Sequence, residues 1–144
     1  MRIRPGLCSI TFRDLSVDDV VALAADAGLA GIEWGADRHV PPGSDAGSVA
    51  GRCADAGLTC PSYGTYLFAG QATADEVEAA CATAVELGAT NLRIWAPGEV
   101  GTAEVAAVAD RAARHGLTIS LEFHPGTRTE TADSTRALLA EADR

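Results

Sequence analysis

Four stretches of this chain end alike, in a helix-forming run, one glycine, and then residues of strand character. They are Ala24-Ala-Asp-Ala-Gly-Leu-Ala-Gly-Ile-Glu-Trp34, Cys53-Ala-Asp-Ala-Gly-Leu-Thr-Cys-Pro-Ser-Tyr63, Ala84-Val-Glu-Leu-Gly-Ala-Thr-Asn-Leu-Arg-Ile-Trp95 and Ala112-Ala-Arg-His-Gly-Leu-Thr-Ile-Ser-Leu-Glu-Phe123. The glycines Gly28, Gly57, Gly88 and Gly116 recur about every 30 residues. A glycine just past a helix takes the left-handed backbone that ends it at little steric cost. A repeat of helix, glycine and strand at this period predicts successive βα units around a parallel sheet.

Each unit can be read locally. A first strand is expected near Gly6–Phe12 and a helix over Val17–Ala27, with Ser16 as N-cap and Asp19 three residues on. Val17, Val20, Val21 and Ala24 give that helix one apolar stripe. The second unit reads as strand Gly31–Trp34, a loop through Pro41-Pro42-Gly43 and a helix from Asp45 to Ala56. The third reads as strand Leu58–Tyr63, a longer loop through Tyr66 and Phe68, and a helix Ala74–Leu87 with Thr73 and Glu76 as a capping box. The fourth reads as strand Asn91–Trp95, loop Pro97-Gly98 and a helix Ala103–Arg114 capped by Thr102. The fifth reads as strand Thr118–Phe123, a Pro125-Gly126 loop and a helix from Ala132 still running at Asp143. The Pro-Gly loops after strands two, four and five share one end of the sheet, where parallel α/β folds carry ligands.

The strands carry charge where a sheet covered on both faces would be apolar. Side chains alternate between the two faces of a strand. Ile32 and Trp34 therefore oppose Glu33; Leu92 and Ile94 oppose Arg93; Ile119, Leu121 and Phe123 oppose Ser120, Glu122 and His124. If the apolar set meets the helices, Glu33, Arg93, Glu122 and His124 converge on the other face. Burying an unpaired charge costs several kcal/mol, so such a cluster must be paired, metal-bound or open to a cleft. Arg93 could form a structural ion pair with Glu33 or Glu122, or meet a ligand. His39, in the loop after strand two, is a ligand contact or a surface histidine. Trp34 and Trp95 read as core or pocket wall. Arg38 and Arg128 lie in ligand-side loops and are read as solvated, with a phosphate contact as the alternative.

Composition narrows the partners. The 144 residues suit a single domain over 1–144, and with 47% hydrophobic but only 5% aromatic residues the core must rest on Ala, Val, Leu and Ile. A net charge of -9 disfavours a nucleic-acid surface or an anionic membrane. Cys8, Cys53, Cys60 and Cys81 form no C-x-x-C pair and have no zinc-finger spacing. Four free thiols, no apolar leader and no membrane-spanning run point to a reducing, cytoplasmic setting.

Gly31-Ile-Glu-Trp-Gly-Ala-Asp-Arg-His-Val-Pro-Pro-Gly43, Leu92-Arg-Ile-Trp95 and Leu121-Glu-Phe-His124 together resemble the sugar phosphate isomerase/epimerase family, the xylose-isomerase-like TIM barrels. The resemblance implies a partial (β/α)8 barrel: the first five of eight βα units, strands in the order 1-2-3-4-5, with the C-terminal units absent. It implies that Glu122, ending strand five, is a metal ligand and a catalytic carboxylate. Its co-ligands, an Asp, a His and a second Glu from later strands, have no counterpart here. It also implies substrate contacts from Glu33 and His39; Arg93 and His124, brought in by strand parity, complete the expected substrate-binding set. The implied cofactor is a divalent metal (Mn²⁺, Mg²⁺, Co²⁺ or Zn²⁺), held weakly or not at all by this chain alone. The implied partner is a sugar or sugar phosphate, with no nucleic acid and no membrane, and with homo-oligomerisation through exposed sheet edges.

The implied reaction is proton transfer at a carbon beside a carbonyl through an enediolate, with the isolated chain inactive. The alternative from a different class is a self-contained five-stranded flavodoxin-like binding or signalling module. Strand order separates the two: 1-2-3-4-5 for a partial barrel, 2-1-3-4-5 for the flavodoxin type. A nuclease of the endonuclease IV kind is disfavoured by the acidic charge and by only three histidines.

Overall fold

The computed structural model describes residues 3–142. Five parallel strands, β1 (Gly6–Cys8), β2 (Gly31–Gly35), β3 (Tyr63–Phe68), β4 (Asn91–Trp95) and β5 (Thr118–Leu121), form one sheet in the order β1-β2-β3-β4-β5. Helices α1 (Val17–Asp26), α2 (Ala46–Asp55), α3 (Ala74–Glu86) and α4 (Thr102–Arg114) connect them, and α5 (Ala132–Ala142) follows β5. Right-handed crossovers between neighbouring parallel strands place the connecting helices on one face. The order excludes the flavodoxin alternative. The expected helix at Asp143 lies outside the described residues.

On β2 and β4 the apolar strand face meets the helices as expected, but Phe123, expected on that face of strand five, lies past the end of the strand and is 63% exposed. Ile32, Trp34, Leu92 and Ile94 are wholly buried. The helices answer with residues three and four apart, such as Val77, Ala80, Cys81 and Ala84 in α3 and Val105, Val108 and Ala112 in α4. Ser16 with Asp19, and Thr73 with Glu76, form the two capping boxes. The glycines that end α1 to α4 all take positive φ, between 67° and 73°. α4 departs from expectation: Gly101 is its N-cap, without a side-chain bond, and Thr102 is its first residue.

Three strands are placed differently from the sequence expectation. β1 stops at Cys8, and Ser9–Phe12 form a 3-10 turn instead. The reason is Ser9, which is fully buried and whose Oγ accepts the Gly35 backbone N–H at 2.9 Å. The hydroxyl does what a further β1 carbonyl would have done. β3 lies at Tyr63–Phe68, not Leu58–Tyr63. Thr59 does bridge to Gly31, but Trp34 then pairs with Tyr63. Three steps along β2 are therefore matched by four along its neighbour. The extra residue falls in the stretch holding Pro61, which has no N–H to give a ladder. β5 also ends at Leu121, although the Glu122 N–H still bonds the Ile94 carbonyl at 2.8 Å.

Candidate functional site

The face opposite the helices carries polar layers stacked up the strands. The lowest is neutral. Ser62 and Ser120 both donate to Asn91 Oδ1, at 3.1 and 2.7 Å, and Asn91 Nδ2 donates to Thr118 Oγ1 at 3.0 Å.

The middle layer is ionic. Arg93 Nε donates to Glu33 Oε1 at 3.0 Å, and Arg93 Nη1 pairs with Glu122 Oε2. One guanidinium thus bridges two carboxylates from β2 and the end of β5. The three side chains are 19%, 21% and 25% exposed, so the pairing is held in a partly dry environment where ionic hydrogen bonds are strong. Cys8 Sγ donates to Glu33 Oε1 at 3.3 Å, and burial pushes that thiol above its ordinary value. Gly64, aligned with Arg93 across the β3–β4 pairing, makes room for the guanidinium. A Cβ at Gly64 would sit 2.5 Å from Arg93 Nη2 and 3.1 Å from Glu33 Oε1.

The upper layer is aromatic. Tyr66 stacks on Trp95 with centroids 5.9 Å apart and planes 20° apart; His124 lies 4.8 Å and Phe68 5.5 Å from the same indole. Trp95 Nε1 donates to the Thr65 carbonyl at 3.2 Å. His124 Nδ1 contacts the Pro125 carbonyl at 2.8 Å, and its side chain is exposed. Strand parity explains the stacking, because Trp95 and His124 follow Arg93 and Glu122 by two residues each.

Of the residues singled out in the sequence, Glu33, Arg93 and Glu122 come together, and His124 joins the aromatic layer above them. His39 stands apart. Its Nε2 contacts the Leu15 carbonyl at 3.2 Å and its ring meets Trp34 edge-on at 5.7 Å. That places it beside the core indole, on the opposite face from Glu33. His39 Nδ1 and Trp34 Nε1 are buried without a hydrogen-bond partner among the described residues. Sequence reading missed Cys8, Gly64 and Tyr66. A glycine inside a strand is itself a signal of close approach by another group, but Gly64 carries it only once β3 is correctly placed.

The donor set does not by itself fit the divalent metal that the resemblance implies. No three His, Cys, Asp or Glu side chains gather to hold an ion among the described residues. Glu122, the one expected ligand, already faces a guanidinium whose charge repels a cation at the same carboxylate.

A sequential parallel sheet, helices on one face and ionic side chains at the C-terminal strand ends on the other, defines an open portion of a (β/α) barrel. The model of the xylose isomerase-like TIM barrel family matches residues 21–144, and the chain belongs to that family. Among solved structures, it resembles the probable 3-DHS dehydratase AsbF of Bacillus anthracis, with 24% identity, a TM-score of 0.80, and 99% of this chain matched to 60% of that one. The 3-keto-D-glucoside 4-epimerase YcjR of E. coli gives 14% identity, a TM-score of 0.76 and coverage of 99% and 65%. A Mycobacterium smegmatis family protein in complex with magnesium gives 16%, 0.72, and coverage of 98% and 61%. At these identities the likeness carries the fold alone. The chain spans less than two thirds of each of these proteins. No curated protein matches it.

Proposed function

We propose that this chain supplies the substrate-binding strand ends, and one reacting carboxylate, of an enzyme that moves a proton beside the carbonyl of a sugar. The observation that carries the reading is the Glu33–Arg93–Glu122 bridge at the mouth of the strands. Glu122 is the base. It removes the proton from the carbon next to the carbonyl; the C–H pair becomes the new C=C bond, and the carbonyl π pair moves onto oxygen. Arg93 holds Glu122 in place and offers N–H groups to the oxygen where charge grows. Returning the proton to the neighbouring carbon, while the hydroxyl proton on the first carbon passes to the oxygen on the second and the first carbon becomes the carbonyl, isomerises the sugar; delivering it to the opposite face of the first carbon epimerises it. Glu33 fixes the guanidinium from its other side.

The test is sugar binding by the purified 144-residue chain. D-fructose should give saturable ligand-observed NMR saturation transfer. The signal should fall at least about tenfold in Glu122→Gln, which keeps the carboxylate's shape, and in Arg93→Lys, which keeps the charge but loses the two-pronged hydrogen bond. Binding that survives both variants, or is absent from the folded wild type, overturns the reading. The isolated chain is expected to bind without turnover. Isomerised fructose from monomeric protein with Mn²⁺ or Mg²⁺ would overturn that part.

A further inference from the structure

We propose that Thr129 is the positioning residue for Glu122: its hydroxyl, bonded to the Glu122 carbonyl, sets where the carboxylate stands in the mouth. The inference rests on the reading of Glu122 as the reacting carboxylate, and goes beyond it by naming what holds that group in place.

Glu122 lies one residue past the end of β5. Its N–H still bonds the Ile94 carbonyl of β4, but its own carbonyl is bonded from outside the sheet, by the Thr129 hydroxyl seven residues on. The chain reverses at Gly126, whose φ of 77° suits a residue without a Cβ, and residues 127–129 come back beside the strand ends. They are anchored there to the exit of β4. Pro97 and Thr127 form an antiparallel bridge. The Arg128 N–H bonds the Ala96 carbonyl at 2.9 Å, and Arg128 Nη1 donates to the Val100 carbonyl at 2.6 Å. Thr129 is thus tied to the fold independently of Glu122.

Thr129 is only 1% exposed, although it sits in a loop. A buried hydroxyl left without a partner is costly, and a valine of the same shape would fill the site without that demand. Each hydroxyl has one proton to give. Thr129 gives its proton to the Glu122 carbonyl. Thr127 gives its own to the His124 carbonyl at 2.6 Å, and its oxygen accepts the Thr129 backbone N–H at 3.2 Å. Two linked hydroxyls therefore hold the carbonyls of the two residues that enter the inner face here, Glu122 beside Arg93 and His124 against Trp95. Peptide units are planar, so bonds to the N–H and the carbonyl of Glu122 fix the planes on both sides of its Cα. The direction of its side chain follows, and Oε2 meets Arg93 Nη1. Without the Thr129 hydroxyl the plane after Glu122 is free to turn, and the carboxylate loses the fixed alignment that proton transfer at carbon needs.

The experiment compares two variants of the full chain. Thr129→Val keeps the shape and removes the hydroxyl; Thr129→Ser keeps the hydroxyl. The first readout is the side-chain NMR signal of the Arg93 guanidinium, assigned by its change in Glu122→Gln, because the bond to Glu122 slows rotation about Cζ–Nη1. The second is D-fructose binding by saturation transfer. Thr129→Val should speed the rotation about fivefold or more, towards the Glu122→Gln value, and weaken fructose by a similar factor. Thr129→Ser should keep both near wild type. A role in folding alone would lower the urea midpoint of Thr129→Val and leave the Arg93 signal and the fructose affinity of the folded protein unchanged; that result overturns the inference. So does a Thr129→Ser chain that behaves like Glu122→Gln, an arm that decides the matter even where Thr129→Val does not fold. If the wild type binds no fructose, the sugar reading falls and the Arg93 signal still decides on Thr129. If Thr129→Val frees Arg93 but binds fructose as before, the positioning stands and the part given to Glu122 in binding the sugar falls.

Discussion

Arg93 is the residue on which the inner face turns, and Gly64 is what lets it stand there. Any side chain at Gly64 meets the guanidinium, and the second-nearest atom is the Glu33 carboxylate that pairs with it. Gly64→Ala should therefore destabilise the chain by about 1–3 kcal/mol through overpacking, read as a lower urea midpoint. The cause separates in a double-mutant cycle. If the cost comes from displacing Arg93, then Gly64→Ala made in an Arg93→Ala background should cost much less, giving an interaction energy of about 1 kcal/mol or more. Additive costs would show that Gly64 serves some other contact. Three members of this cluster were legible in the sequence, because Glu33, Arg93 and Glu122 break the apolar parity of their strands. The other two were not. Cys8 meets Glu33 only through the β1–β2 register, and Gly64 meets Arg93 only after a one-residue slip that no periodicity announces.

At the scale of elements, helices were easier to read than strands because their ends are chemically marked. Ser16 with Asp19, and Thr73 with Glu76, satisfy the first backbone N–H groups of α1 and α3 with side chains three residues apart, a purely local signal. Thr73→Ala should cost about 1 kcal/mol in urea unfolding. Strand ends depend on partners far along the chain: Ser9 on Gly35 and Tyr63 on Trp34 moved β1 and β3 away from their local patterns. The packing of α3 on α4 adds a pH dependence. Glu78 of α3 bonds His115 Nε2 at 2.6 Å and Arg111 Nη1 at 3.2 Å, and these bonds hold its carboxyl below the ordinary value of 4.5. A carboxyl depressed on folding contributes stability that is fully present above its unfolded value and is lost as pH falls through the folded one. Wild-type stability should thus drop below about pH 4.5, and Glu78→Gln should flatten that drop. Urea midpoints measured at about pH 6 and about pH 3 test it; equal drops in both proteins would show that the link between the two helices does not contribute to acid sensitivity.

For the molecule as a whole, opposing forces act at the rims of the sheet. β1 and β5 are the terminal strands of the order β1-β2-β3-β4-β5, so each has a neighbouring strand on one side only. Rows of unpaired backbone groups favour edge-to-edge association. Against this stands a net charge of -9 with no lysine, so that two copies approaching edge to edge repel over the range of the Debye length. That range is roughly 30 Å at 0.01 M salt and roughly 10 Å at 0.1 M. Hydrogen bonding between backbones at contact is screened far less than charges tens of ångströms apart. Raising salt between those values should therefore weaken the repulsion while leaving the edge attraction largely intact. The expected outcome is that the weight-average mass from sedimentation equilibrium rises with salt as well as with protein concentration. A second measurement identifies the surface responsible. The Thr118 and Glu122 N–H groups point to β4, bonding the Thr90 and Ile94 carbonyls, so the alternate residues Ile119 and Leu121 turn their backbone groups to the free side. Ile119→Pro removes one outward N–H without breaking the β4 ladder, and should lower the association if β5 is the adhesive rim. A mass that stays monomeric at both salts would mean that the charge, or side chains folded over the rims, already protects them.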